Sequence, residues 1–258
     1  MPAGAVERGY APVNGLKLYY EIHGKPAKDG VPLVLLHGGG STIETSFGKL
    51  IPLLSRARQV LAFEQQGHGH TADVDRPFSF EQSAEDTVAL LRYLRIAKAD
   101  FLGYSNGGHI SLELALKHPE VVRSLILQSM FYSREGTDPR FWQSFDQPKI
   151  DSMPPDLKKA YLATAPHPEQ LPTFFDKTVQ RMRAFKGWTP AQLQTIRAPT
   201  MLLLGDRDIV RVEHAAQMQR LIPDARLAVL PATDHQAMTD RAALVAPMVD
   251  ELLLSGRR

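Results

Sequence analysis

The segment ADFLGYSNGGHISLELAL, residues 99–116, indicates the fold class of this chain. It begins as a compact apolar strand, turns at Gly103-Tyr104-Ser105-Asn106-Gly107 and continues as a helix. Glycines at both flanks of the serine relieve the crowding of so short a turn. Such a turn projects the Ser105 hydroxyl away from the sheet, beside the N–H groups of a helix N-terminus. It therefore predicts a nucleophilic serine, and an ordinary strand–helix connection is the alternative.

Apolar segments of strand length recur on both sides of this stretch. They are VPLVLLHG (31–38), RQVLAFEQ (58–65), VRSLILQSM (122–130), APTMLLLGD (198–206) and ARLAVLPAT (225–233). Their continuous apolarity predicts strands covered on both faces, and helical segments separate them. Before them, YAPVNGLKLYYEI (10–22) predicts a hairpin that turns at Asn14-Gly15. The pattern predicts an α/β fold with a mostly parallel eight-stranded sheet flanked by helices.

Residues 131–197 interrupt the alternation of strands and helices. They contain helical segments and several prolines but no strand pattern, over a span far longer than an ordinary connection. We therefore predict a core domain formed by 1–130 and 198–258, and a helical cap formed by 131–197. The cap would cover the carboxyl ends of the strands, where such sheets bind ligands. A plain connection is the alternative.

A serine nucleophile needs an adjacent base, which an acid must orient. His235 follows the last apolar strand, and Asp206 and Asp208 follow the strand before it. The carboxyl ends of parallel strands lie at one edge of a sheet, so these side chains can meet Ser105 despite their separation along the chain. This placement leaves both aspartates open as the acid.

The run LVLLHGGGST, residues 33–42, puts three glycines directly after an apolar strand. Glycines let the backbone approach a ligand closely, and HGGG is an oxyanion-loop motif of lipases and esterases. A phosphate-binding loop is the alternative, but neither GxGxxG nor GxxxxGK[ST] fits the run. The run therefore predicts N–H groups aimed at a developing negative charge.

With these motifs, the chain resembles the α/β-hydrolase fold family from about Val13 to Leu254. The resemblance implies a serine hydrolase with a helical lid, similar to esterase, lactonase and perhydrolase members. It implies a site with the nucleophile Ser105, the base His235, the acid Asp208, and the oxyanion-binding N–H groups of Gly39 and Asn106. Relatives place their acid at the position of Asp208, which makes Asp206 the second choice.

The same resemblance implies hydrolysis of a small carboxylic ester or lactone through an acyl-enzyme, without a cofactor or metal. Serine at position 105 argues against haloalkane dehalogenases and epoxide hydrolases, which use aspartate there. Three alternatives remain: a carbon–carbon bond hydrolase, a perhydrolase or cofactor-free haloperoxidase, and a hydrolase-shaped receptor for a small signal.

Two segments depart from the pattern of the family. Relatives commonly carry Asp-x-Arg-Gly-x-Gly-x-Ser where this chain has EQQGHGHT (64–71). Glu64, Gln66 and Thr71 therefore stand in place of aspartate, arginine and serine. Asp234 stands before His235, where glycine is frequent, and would either assist the base or face solvent. The pair His68-Gly69-His70 invites a metal, but no HExxH spacing accompanies it.

Composition limits the partners of the chain. The 258 residues carry 30 Lys and Arg against 28 Asp and Glu, spread without basic blocks, which argues against nucleic acid. No apolar run approaches the ~18 residues of a membrane span, and Glu7 and Arg8 stand where a signal peptide would be apolar. We therefore expect a soluble, cytoplasmic protein without membrane contact. The lack of cysteine excludes disulfides and a thiolate nucleophile.

Overall fold

Eight strands form one sheet in the computed structural model, which describes residues 6–255. The strands are β1 (Glu7–Val13), β2 (Leu16–His23), β3 (Leu33–Leu36), β4 (Val60–Phe63), β5 (Ala99–Tyr104), β6 (Val122–Gln128), β7 (Thr200–Arg207) and β8 (Ala225–Asp234). Their order across the sheet is β1-β2-β4-β3-β5-β6-β7-β8. The β1–β2 and β2–β4 pairs are antiparallel, and every other pair is parallel. The predicted mostly parallel, eight-stranded sheet is confirmed.

The first hairpin turns where the sequence predicts it. Asn14 and Gly15 have positive φ angles of 47° and 81°. Two such residues form the tight turn that matches the twist of paired antiparallel strands, and asparagine and glycine adopt that conformation at the least cost. This turn fixes the register of β1 against β2, with Val13 opposite Leu16.

Within residues 6–255, ten α-helices accompany the sheet. They are α1 (Ile43–Phe47), α2 (Ile51–Leu54), α3 (Phe80–Tyr93), α4 (Asn106–Lys117), α5 (Pro139–Gln143), α6 (Pro155–Thr164), α7 (Leu171–Ala184), α8 (Pro190–Leu193), α9 (Val212–Leu221) and α10 (Ala242–Ser255). None of the helices within residues 6–255 is long and apolar enough to cross a membrane.

Successive residues of a central strand pack on opposite faces of the sheet. Val34 and Leu36 of β3 join the apolar cluster that contains residues of α3, α4 and α9. Leu33 and Leu35 join the cluster that contains residues of α2 and α10. Both faces are thus covered by helices, which explains why the sequence of the strand is apolar without alternation.

Residues 131–197, all within the described range, contribute helices α5–α8 and no strand to the sheet. Residues of α6 and α7 form a separate apolar cluster with Phe78, which precedes α3. The division into a core domain of 1–130 and 198–258 and a cap of 131–197 stays a prediction. The ends of that predicted core, 1–5 and 256–258, lie outside the described residues.

Candidate active site

Ser105 lies in the sharp turn between β5 and α4. Its backbone has φ 53° and ψ −116°, a conformation that is strained for a residue with a β carbon. Its N–H donates to Gln128 O at 2.8 Å, and this bond holds the turn against β6. A β carbon on Gly107 would overlap the carbonyl oxygen of Leu36, so only glycine fits there. The turn therefore holds Ser105 in one fixed position beside β3 and β6.

The structure brings Ser105, His235 and Asp208 together at the carboxyl edge of the sheet. His235 Nε2 lies 3.1 Å from Ser105 Oγ, and His235 Nδ1 lies 2.8 Å from Asp208 Oδ1. An ionised carboxylate only accepts hydrogen bonds, so Nδ1 carries the proton in this pair. Nε2 is then free to accept the proton of the serine hydroxyl, which is the arrangement of a base poised on a nucleophile.

Asp208 is held in its ionised form by its hydrogen bonds. Its side chain is 0% exposed, and this burial alone would raise its pKa. The bonds from His235 Nδ1 and Ser129 Oγ, the latter at 2.6 Å, outweigh the burial, and the pKa of Asp208 is lowered from its ordinary value. The carboxylate therefore stays charged at neutral pH, where it fixes the orientation of the imidazole.

The two neighbouring aspartates have other partners. Asp206 is exposed and accepts the N–H of Thr233 at 3.0 Å, which lowers its pKa. Asp234 is exposed and accepts the N–H of Ala237 at 2.7 Å. Of the two aspartates at the end of β7, the structure thus places Asp208 on the imidazole.

The predicted oxyanion loop lies directly beside the nucleophile turn. Among the residues described, neither Gly39 N–H nor Asn106 N–H has a protein acceptor. A β carbon on Gly39 would overlap the side-chain nitrogen of Asn106, which brings these two residues into contact. Gly40 N–H donates to His68 Nε2 at 3.3 Å, and Gly38 N–H donates to Ser46 Oγ at 3.3 Å. The bonds of Gly38 and Gly40 fix the loop, while the N–H groups of Gly39 and Asn106 remain available to bind a substrate oxygen.

The unusual 64–71 segment supports this loop. Buried Glu64 accepts the N–H of Ile43 at 3.3 Å and the N–H of His70 at 2.6 Å. Burial raises the pKa of Glu64. His68 and His70 have separate partners, and within residues 6–255 no group of three His, Asp or Glu side chains could hold a metal. Gln65 of the same segment donates to His37 O at 2.9 Å, so the segment orders the backbone before and after Gly39.

Two polar residues of the site were missed in the sequence. Ser129 directly follows β6 at the same sheet edge as Ser105, and this position in the sequence indicates a residue of the site. Arg181 lies on α7 with its side chain buried beside Gly39. Arg181 stands at helical spacing from the buried residues Leu171 and Phe174. A charged residue on the apolar face of a helix is the sequence feature that indicates this buried side chain.

An eight-stranded α/β sheet that carries a Ser–His–Asp arrangement at its carboxyl edge is the architecture of the α/β-hydrolase fold. The family model described as alpha/beta hydrolase family matches residues 33–248. The chain belongs to this family.

Three known proteins illustrate the likeness. The chain is 30% identical over 160 residues to a proline iminopeptidase of Clostridioides difficile (strain 630), a match over 61% of this chain and 53%, or about half, of that protein. It is 26% identical over 246 residues to 2-hydroxymuconate semialdehyde hydrolase of Pseudomonas sp. (strain CF600), over 87% of each. The crystal structure of the enol-lactonase from Burkholderia xenovorans LB400 matches with a TM-score of 0.74 and 22% identity, over 95% of this chain and 99% of that chain.

Proposed function

We propose that the protein is a serine hydrolase that cleaves a carboxylic ester or lactone of a small molecule through an acyl-enzyme. The single observation that supports this most is the continuous hydrogen-bond chain from Ser105 Oγ through His235 to Asp208. The enol-lactonase among the structures of the same fold adds support for a lactone substrate.

The geometry supports a complete reaction. His235 Nε2 takes the proton of Ser105 as Oγ attacks the substrate carbonyl, and Asp208 stabilises the imidazolium that forms. The N–H groups of Gly39 and Asn106 bind the oxyanion. His235 then gives the proton to the leaving alcohol. In the second half of the reaction His235 takes a proton from water as the water attacks the acyl carbonyl, and the proton passes to Ser105 Oγ as the acid leaves. Serine, histidine and water supply every step, so the proposed reaction needs no cofactor.

A carbon–carbon bond hydrolase is the second candidate. The observation in its favour is the match to 2-hydroxymuconate semialdehyde hydrolase along 87% of both chains. The same three side chains would then act on a ketone carbonyl, and the leaving group would be a stabilised carbanion in place of an alcohol. Parallel assays with aryl esters and with a vinylogous 1,5-diketone acid would separate the two reactions.

Labelling with a fluorophosphonate probe, followed by a panel of competing esters and lactones, tests the proposal. We expect the wild-type protein to be labelled and S105A to stay unlabelled. The turnover of S105A should fall by about three orders of magnitude or more, with an unchanged circular dichroism spectrum. Esterase activity retained by S105A would refute the proposal. A wild-type protein that binds a panel member but resists labelling would favour the small-signal receptor.

A further inference from the structure

The side chain of Arg181 is buried beside the candidate active site. It is 3% exposed, and its guanidinium carbon lies 5.2 Å from the centre of the Phe80 ring and 5.6 Å from that of Phe78. Burial lowers the pKa of Arg181 to about 10, so the side chain remains a cation at neutral pH. A full positive charge is therefore placed in an aromatic, largely water-free environment.

The protein does not neutralise this charge. Among the residues that the structure describes, Arg181 forms no ion pair with a carboxylate, and Nε and Nη2 have no hydrogen-bond partner. Its one polar contact joins Nη1 to Gln65 Oε1 at 3.4 Å. Nε and Nη2 form one edge of the guanidinium, and this edge offers two parallel N–H donors. Such an uncompensated buried cation opposes folding unless another group supplies the partner.

The histidine rings around Arg181 carry no charge that could change its balance. Burial lowers the pKa of His37 to about 4 and that of His109 to about 3. It also lowers the pKa of His68, and the charge of Arg181 adds to the effect in all three rings. These histidines are therefore neutral at pH 7. No described residue therefore binds the free guanidinium edge, which leaves it open to a partner from outside the protein.

The free edge lies next to the predicted oxyanion loop. A β carbon built on Gly39 would lie 3.5 Å from Arg181 Nη2, on the side where it also meets the side-chain amide of Asn106. Arg181, Gly39 and Asn106 thus form one cluster next to Ser105. A group bound by the guanidinium would belong to the same molecule that Ser105 attacks.

We propose that Arg181 binds a carboxylate of the substrate, so that the natural substrate is an ester or lactone whose acyl part carries a second, ionised carboxyl group. The inference rests on the proposed function and specifies its substrate class. Two parallel donors on one guanidinium edge match the two oxygens of a carboxylate. A single cation without a second basic partner suits a monoanion better than a phosphate dianion.

The test compares two aryl esters of equal chain length, the 4-nitrophenyl half-ester of adipic acid and 4-nitrophenyl hexanoate. We expect the wild-type kcat/KM for the half-ester to exceed that for the hexanoate. In R181Q the ratio of the two kcat/KM values should fall by at least about 30-fold, since hydrogen bonds to charged groups are lost. R181K should restore part of it. The control is R183Q, which removes an exposed charge from the same helix and should leave the ratio unchanged.

A fall of equal size for both esters in R181Q would overturn the inference, because it would place Arg181 on the oxyanion or in the fold. An unchanged ratio would overturn it as well. The melting temperature gives a separate check: removal of an uncompensated buried cation should leave it unchanged or raise it, whereas a structural arginine would lower it.

Calorimetric binding to S105A keeps the inference separate from the proposed function. S105A should bind the adipate half-ester at least about 30-fold more tightly than S105A/R181Q does. If the wild-type protein hydrolyses neither ester but this difference in binding is observed, the carboxylate site stands and the proposed ester hydrolysis fails. If both esters are hydrolysed and the difference in binding is absent, the proposed function stands and the carboxylate site fails.

Discussion

Ser129 Oγ donates a 2.6 Å hydrogen bond to Asp208 Oδ2, the carboxylate oxygen that does not bind His235. Ser129 holds this position with a positive φ of 54°, and its N–H donates to Leu203 O at 2.8 Å. The two oxygens of Asp208 are therefore bound from opposite sides, and the carboxylate cannot rotate without loss of one bond.

Replacement of Ser129 tests this orienting role. We expect S129A to lower kcat for an aryl ester by about tenfold, because Asp208 loses one donor to a buried charge. S129G is the matched control, since it also lacks the hydroxyl but tolerates the positive φ. Equal losses in S129A and S129G would assign the effect to the hydroxyl. Full activity in both variants would show that His235 and the N–H of Val210, which donates to Asp208 Oδ1 at 3.2 Å, orient the carboxylate without Ser129.

Asp208 and Asp206 should respond very differently to removal of their charge. We expect D208N to lower kcat by about 10⁴-fold, because an amide leaves the imidazole in the wrong tautomer. D206N should lose less than about twofold, since Asp206 is exposed and bonds to Thr233 N–H, away from the ring. Steady-state kinetics of both variants on one ester gives the comparison. A larger loss in D206N than in D208N would reverse the assignment of the acid.

Elements that depend on local sterics and apolar pattern could be predicted from the sequence. The Asn14-Gly15 hairpin and the glycine beside Ser105 follow from backbone conformations that few residues adopt. The meeting of Ser105 and His235 at one edge follows from the rule that parallel strands end on the same side.

Contacts made across the fold could not be predicted in this way. Asp206 lies near the end of β7 and Asp208 directly follows the strand. The two residues are two positions apart, so the alternation of side chains along a strand does not distinguish them. The choice depends on the turn after β7, where Asp208 N–H donates to Gly205 O at 3.3 Å. Arg181 reaches Gly39 only through the packing of α7 on Phe78 and Phe80, a contact between distant segments of the chain.

Gly39 should tolerate no side chain. In G39A the new β carbon overlaps the Asn106 side-chain nitrogen and lies 3.5 Å from Arg181 Nη2. We expect kcat to fall by about 100-fold, because the shifted loop loses one oxyanion donor. The double variant G39A/N106A removes the overlap and should recover part of the activity. A G39A protein as active as the wild type would contradict the proposed place of the oxyanion.

Stability should decrease in mild acid because of buried neutral histidines. His37 and His109 are buried, and burial lowers their pKa values to about 4 and about 3. Below the ordinary histidine pKa of about 6.5, the unfolded chain binds protons that the folded chain does not. The stabilisation is therefore complete above about pH 6.5 and is lost as the pH falls towards the folded-state values. Each ring should account for about 2 kcal/mol of unfolding free energy between pH 7 and pH 5.

Urea unfolding of the wild type and of H109F at both pH values checks this expectation. The ring of His109 stacks on Phe80 and Trp188 and is surrounded by aromatic side chains, so phenylalanine suits the site. We expect the loss of unfolding free energy between pH 7 and pH 5 to be about 2 kcal/mol smaller in H109F than in the wild type. Identical losses would mean that His109 is already protonated in the folded protein at pH 5, and hence that its aromatic surroundings do not hold it neutral.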